Sequence, residues 1–216
     1  VDVTDATFRS PGDVVRLLRA PILTQLPSFR AAFREAQDKR KRQIEDFKKQ
    51  GKSSGGLPTP ELVSYYLPNS PTAEVFRMIR SRLFSQKSAQ RVVLTTSPHP
   101  TDGKTMMACN LAIKVAESGK KVLLVDCDMR RPSIYNWFNI DNSKGVVDVL
   151  AGELKFDDVL KASVVKNLTI ITAGSKRKNP SPAELIAGPA FDEFIAKARA
   201  NFDVVILDTP PVLYVS

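Results

Sequence analysis

Cysteine and histidine are nearly absent: Cys109, Cys127 and His99 are the only three in 216 residues. That scarcity argues against a disulfide framework or a metal cluster, and it fits a reducing compartment. Long apolar runs are missing too. None approaches the roughly 18 residues of a membrane span, and the N-terminus lacks the pattern of a signal peptide. There is no internal repeat, no aromatic array for stacking bases and no recognised DNA-reading motif. What is present is a globular composition, 43% hydrophobic, and a length that suits one α/β domain with an appendage.

The formal net charge is +9, and many of the basic residues crowd between Arg30 and Lys52. The segment RAAFREAQDKRKRQIEDFKKQGK permits a helix but has few apolar positions. It is expected to bury little, staying solvated or lying against an anionic surface such as lipid headgroups. Nucleic acid is the competing partner, and the missing stacking array and reading motif count against it. Before this segment, SPGDVVRLLRAPILTQLP predicts a small helix and then a strand from Ile22 to Leu26. After it, GKSSGGLPTP, residues 51–60, has the composition of a hinge. These features divide the chain into an appendage, 1–60, and a main domain, 61–216, with its core starting near Leu62.

The densest signal is VVLTTSPHPTDGKTMMACNL, residues 92–111. Val92, Val93 and Leu94 predict a buried strand. From Lys104 onward, Met106, Met107, Leu111, Ala112 and Val115 fall at helical spacing. The segment Pro100, Thr101, Asp102, Gly103, Lys104, Thr105 and Met106 therefore spans a turn from strand into helix. Amide hydrogens at such a helix start favour phosphate, a lysine there can reach the β- and γ-phosphates, and the Thr105 hydroxyl can ligate Mg²⁺. The match to G-x-x-x-x-G-K-[ST] is incomplete, because Pro98 occupies the position of the first glycine. His99 reads as a turn residue.

Two further stretches strengthen the assignment. KKVLLVDCDMRRP, residues 120–132, and FDVVILDTPP, residues 202–211, each read as a fully buried parallel strand ending in a carboxylate. In open α/β sheets that edge binds ligands. Asp126, Asp128 and Asp208 are thus candidates for holding Mg²⁺ or orienting an attacking hydroxyl. Cys109 reads as core and Cys127 as a strand residue.

SPTAEVFRMIRSRLF, residues 70–84, predicts a helix with Ser70 as N-cap and Pro71 in its first position. Its expected apolar stripe is Val75, Ile79 and Leu83, with Glu74, Arg77 and Arg80 on a face pointing away from it. Downstream, Gly145 to Leu150 predicts a short helix, Leu168 to Thr172 a strand, and NPSPAELI opens a helix running through Ala198. Alternating strands and helices predict an α/β fold, a parallel sheet with helices on both faces.

The order Gly103-Lys104-Thr105, Asp126-x-Asp128-x-Arg130, NPSPAEL and Asp208-Thr209-Pro210-Pro211 resembles the bacterial tyrosine kinases of exopolysaccharide and capsule assembly. VLTTSPHPTDGKT, LLVDCDMR and VILDTPP match that family's modified Walker A, Walker A′ and Walker B. Glu74, Arg77 and Arg80 match its E-x-x-R-x-x-R interface helix. The resemblance implies a P-loop NTPase fold with a juxtamembrane appendage, and a protein-tyrosine autokinase using ATP and Mg²⁺. Lys104 and Thr105 would bind phosphate and metal, Asp128 and Asp208 would hold or orient the metal, and Asp126 would help activate a tyrosine hydroxyl. Arg130 would be the A′ arginine. It also implies a ring of copies joined through Glu74, Arg77 and Arg80, a polysaccharide polymerisation and export machine as partner, and a place at the cytoplasmic face of the plasma membrane.

Two departures from the family pattern carry expectations of their own. Thr101 stands where the family usually has glycine, and a β-carbon there makes a positive φ costly, so the resemblance predicts a distorted amide cradle. The family's later strands and tyrosine-rich tail have no counterpart before Ser216, so the chain reads as a fragment; Tyr65, Tyr66, Tyr135 and Tyr214 read as structural. Two alternatives stay open. One is a nucleotide switch like the septum-positioning and partition ATPases, disfavoured because their extra early lysine is missing between Thr95 and Asp102. The other is a non-catalytic scaffold, which the Thr101 substitution would suit.

Overall fold

The computed structural model describes residues 21–51, 56–84, 92–175 and 181–214, so the small helix expected near the N-terminus lies outside the described residues. Five strands form one sheet: β1 (Val92–Thr95), β2 (Val122–Asp126), β3 (Lys161–Ala162), β4 (Leu168–Ile171) and β5 (Val204–Asp208), in the order β1-β5-β2-β4-β3. All neighbours run parallel except β3, which pairs antiparallel with β4. The sheet is therefore mixed, with the expected parallel core and one short reversed edge.

The two central strands, β2 and β5, are buried at every position. Alternation assigns their side chains to opposite faces. Val122, Leu124, Val204 and Ile206 join a core cluster with Phe76, Ile79, Leu111 and Val115. Leu123, Val125, Val205 and Leu207 join another with Val146, Leu150, Phe194 and Ala198. The first face carries α3 (Pro71–Phe84) and α4 (Lys104–Ala116); the second carries α6 (Val146–Leu150), α7 (Pro182–Ala187) and α8 (Pro189–Asn201). Two more helices, α1 (Arg30–Lys49) and α2 (Val63–Tyr66), precede α3, and α5 (Ile134–Phe138) follows β2.

Several expectations are corrected. Residues 22–26 form no strand: the segment between Pro21 and Pro27 has no strand partner, and Leu23 packs on the core instead. β1 is an edge strand, leaving Val92 and Leu94 37% and 58% exposed rather than buried. The helix expected through Ala198 is interrupted, because Pro189 has no amide hydrogen to donate and Gly188 is extended, with φ −83° and ψ 160°. Ser181 and Glu184 form a reciprocal cap at the start of α7. β4 stops at Ile171, one residue earlier than expected.

The apolar face of α3 is Thr72, Ala73, Phe76 and Ile79, while Leu83 is 37% exposed. This rotates the helix from its expected setting. Ser70 does cap it, accepting the Ala73 amide at 3.2 Å. Glu74 and Arg77 pair with each other at the surface. Arg80, in contrast, turns toward the domain and donates to the Lys114 carbonyl at 2.9 Å. Lys114 is itself fully buried, its Nζ 2.9 Å from the Pro68 carbonyl and 2.7 Å from the Glu117 carboxylate. Arg80 thus ties α3 to the last turn of α4.

The basic helix α1 buries only Ala32 and Ala36, as its lack of apolar positions predicts. It rests on α2 beside Val63, Tyr66 and Leu67. Arg40 Nε donates to the Pro58 carbonyl at 2.8 Å, and the Tyr66 hydroxyl donates to the same oxygen. Of the hinge expected at 51–60, residues 52–55 lie outside the described residues, and the part that follows is held: Leu57 is buried, the Thr59 amide donates to the Trp137 carbonyl at 2.8 Å, and Asn110 accepts the Ser64 amide and donates to the Glu61 carbonyl. Among the described residues no helix is long and apolar enough to cross a membrane.

The contrast between the two arginines is measurable. Arg80→Ala should lower unfolding stability in urea by roughly 1–2 kcal/mol, since a partly buried charged hydrogen bond is lost. Arg77→Ala, losing a surface pair, should stay within about 0.5 kcal/mol of the parent.

Candidate functional site

The register of the sheet builds the site. β1, β5 and β2 are adjacent, and Thr95, Asp208 and Asp126 share one rung at their C-terminal ends. Beyond that rung the chain turns at Gly103, whose φ is 93°, and enters α4 with Lys104 and Thr105. A β-carbon at Gly103 would be strained by that φ alone. The residue before Asp102 is strained already: Thr101 has φ 69°, a region that a β-branched residue seldom occupies. Its hydroxyl donates to the Pro100 carbonyl. Asp102 turns back into the loop, its Oδ2 accepting the His99 amide at 2.9 Å.

Lys104 and Thr105 reach the carboxylates directly. Lys104 Nζ lies 2.9 Å from Asp128 Oδ2 and 3.8 Å from Asp208 Oδ2. The Thr105 hydroxyl donates to Asp208 Oδ2 at 2.6 Å. Asp128 Oδ1 accepts the Arg131 amide at 3.0 Å. The donor set is a hydroxyl and two carboxylates, hard oxygens of the kind Mg²⁺ takes with phosphate and water completing its shell. Among the described residues no group of three or more histidine, cysteine, aspartate and glutamate side chains could by itself hold a metal. The set therefore fits a metal that arrives with a phosphate ligand.

Asp126 is placed differently. It is fully buried, and its oxygens accept three backbone amides: Asp128 at 3.1 Å on Oδ1, and Ser133 at 3.0 Å and Ile134 at 3.1 Å on Oδ2. They hold the loop from 126 to 134 and the start of α5.

Pro100, Thr101, Gly103, Lys104, Thr105, Met106 and Asp128 line a cavity of about 590 Å³. Asp102 does not line it. The sequence reading missed Arg131, Ser133 and Trp137, which also border the cavity; Pro210 and Pro211, from the Asp208 motif, border it after β5. Arg131 and Ser133 could have been found by extending the aspartate motif past Arg130; the cavity contact of Trp137 depends on α5 turning back toward α4, which no local pattern announces. Cys109 and Cys127 are both buried, and burial pushes both thiols up, away from reactivity.

Burial, reinforced by the neighbouring charge of Asp208, raises the Asp126 carboxyl to about 7. Burial likewise raises Asp208 to about 6, against the opposing pull of the Thr105 hydroxyl and Lys104. A carboxyl whose folded pKa lies above its unfolded one binds protons more tightly in the native state. Its contribution is fully present below the unfolded value near 3.8 and is lost as pH rises through the folded value near 7. The chain should therefore lose stability between about pH 4 and pH 7, read as the urea midpoint against pH. Asp126→Asn should flatten that slope; an unchanged slope would show that Asp126 is ionised throughout.

The AAA domain family matches residues 101–216. Tyrosine-protein kinase YwqD of Bacillus subtilis is 35% identical over 167 residues, 76% of this chain and 70% of that protein. EpsB of Ralstonia nicotianae is 38% identical over 157 residues, 72% of this chain. The chain spans only 21% of EpsB's length. Among solved structures, the BceF tyrosine kinase domain superposes with a TM-score of 0.73 at 28% identity, covering 94% of this chain and 77% of that one. The kinase domain of Escherichia coli tyrosine kinase ETK gives a TM-score of 0.68 at 29% identity over 71% of this chain and 60% of that one. With its lysine, threonine and aspartates gathered at one sheet edge, the chain belongs to the bacterial tyrosine-protein kinases.

Proposed function

We propose that this chain is the ATP-binding part of a protein-tyrosine autokinase that regulates exopolysaccharide or capsule polymerisation and export. The observation that supports it most is the convergence of Lys104 on Asp128 and of Thr105 on Asp208 at the end of adjacent strands. In such a site the γ-phosphoryl group moves from ATP to a tyrosine oxygen, the phenolic proton passes to a base, and ADP leaves. Lys104 and the loop amides would hold the phosphates. Thr105, Asp128 and Asp208 would hold Mg²⁺, which when bound supplies charge to the phosphate oxygens. Asp126 would position Asp128, Ser133 and Ile134 through their amides rather than touch the substrate.

The acceptor tyrosine would come from a neighbouring copy docked on the exposed side of α3, through Glu74 and Arg77. Arg80 would serve that surface indirectly, by fixing α3 to α4. A place at the cytoplasmic face of the inner membrane suits the solvated basic helix α1, whose charges match anionic headgroups. A scaffold that binds nucleotide poorly is the second reading, favoured by the φ of Thr101.

Phosphotyrosine on the full-length protein separates these readings. Lys104→Met should reduce the label by about a hundredfold or more, as loss of a phosphate-stabilising charge does, and chelating Mg²⁺ should abolish it. Phosphate release without labelling would favour the nucleotide switch, and silence with folded protein the scaffold. For the docking surface, Glu74→Ala with Arg77→Ala should lower the mass seen by light scattering without changing the unfolding midpoint. An unchanged mass would remove α3 as the interface.

A further inference from the structure

The cavity has more wall than a phosphate chain needs. Lys104, the residue that would reach the terminal phosphates, points at Asp128, so the phosphoryl-donating end of the cavity is bordered by the loop from 126 to 134. Past Asp128 the wall continues through Arg130, Arg131 and Trp137. Both arginines are exposed, and Trp137, the only tryptophan in the chain, is half-buried.

Trp137 is held from two directions. Asp126 fixes the start of its helix through the Ser133 and Ile134 amides, at 3.0 and 3.1 Å. The Thr59 amide fixes its carbonyl at 2.8 Å, and the ring packs on the core beside Ile134 and Phe138. A large aromatic set this firmly at a cavity wall suits a ring-shaped ligand group. Beside it, neighbouring guanidinium groups suit carboxylates, which they can bind in bidentate fashion.

We propose that Trp137 and Arg131 form the acceptor subsite, and that it selects a tyrosine flanked by acidic residues. Trp137 takes the phenol ring, and Arg131, with Arg130 beside it, takes the flanking carboxylates. This rests on the kinase reading and adds to it the chemical class of the acceptor segment. Trp137 shares the cavity with Asp128, Arg130 and Arg131; the nucleobase is the other ring-shaped group that this wall could take, and the Mg-ADP affinity of the Trp137 variants separates the two.

The test uses the whole chain with Mg-ADP present and two synthetic peptides, each with one tyrosine, flanked by glutamates or by lysines. Emission from the single tryptophan should change saturably with the acidic peptide and only at about tenfold higher concentration with the basic one. Followed by the anisotropy of a labelled acidic peptide, Trp137→Ala should weaken binding by about tenfold, Trp137→Phe should restore most of it, and Arg131→Glu should invert the flank preference. Mg-ADP affinity, by calorimetry, should change far less than peptide affinity in Trp137→Ala and Trp137→Phe. Equal binding of the two peptides overturns the proposal, as does a Trp137→Ala chain that loses Mg-ADP and keeps the peptide. Mg-ADP binding without peptide binding overturns it while leaving the kinase reading intact. Absence of both fails the kinase reading and the proposal together.

Discussion

Asp126 and Asp208 stand side by side at the ends of the two most deeply buried strands, and the fold has to keep two carboxyls there without water around them. Neither has the same solution. Asp126 is surrounded by backbone amides from the turn that follows it. Asp208 is met by the hydroxyl of Thr105 and, farther off, by Lys104. Each solution shapes a different piece of the molecule: the amides give the loop to α5 its path, and the hydroxyl and ammonium fix where α4 begins. A buried carboxylate left without such partners would be strongly destabilising. The chemistry of the site and the integrity of the sheet therefore rest on the same contacts.

The central part of this arrangement was legible in the sequence because two physical patterns coincide there. The runs VLLVD and VVILD are too apolar for anything but a strand covered on both faces, and the aspartates at their ends are too polar to continue it. Gly103-Lys104-Thr105 was legible because a helical period starts at once behind it. The rest depended on distant parts of the chain. Whether Val92 and Leu94 are covered depends on what lies beside β1, which no residue in β1 encodes. Arg80 was expected with Glu74 and Arg77 because spacing places it near them; its partner is a carbonyl 34 residues away. The stripe on α3 was misread for a related reason, since Phe76 outweighs Val75 only when the size of the facing gap is known. Trp137 carries no motif, and its proximity to the cavity follows from the turn that Asp126 imposes.

The segment from α1 to α2 has a different character from the sheet. Its polar contacts are mostly single hydrogen bonds to carbonyls, and the buried side-chain oxygens without a protein partner among the described residues, on Gln43, Thr59, Glu61 and Ser64, all lie along it. Each such atom forgoes part of the stabilisation that burial brings elsewhere. The seam is consequently a softer joint than the sheet, though it touches the cavity wall through Thr59. A change in how α1 sits would reach Trp137 before it reached the β-strands.

The backbone at Thr101 has a consequence in heredity. The glycine that would relax its φ of 69° cannot be reached from any threonine codon by a single base change. Among the residues that can, asparagine alone visits this left-handed region readily, because its short amide can bond to the local backbone. Alanine, serine, isoleucine and lysine would all retain the strain. A lineage drifting away from threonine at this position therefore meets asparagine as its one easy exit, and until it takes that step the loop keeps its tension as an inherited trait rather than a passing defect.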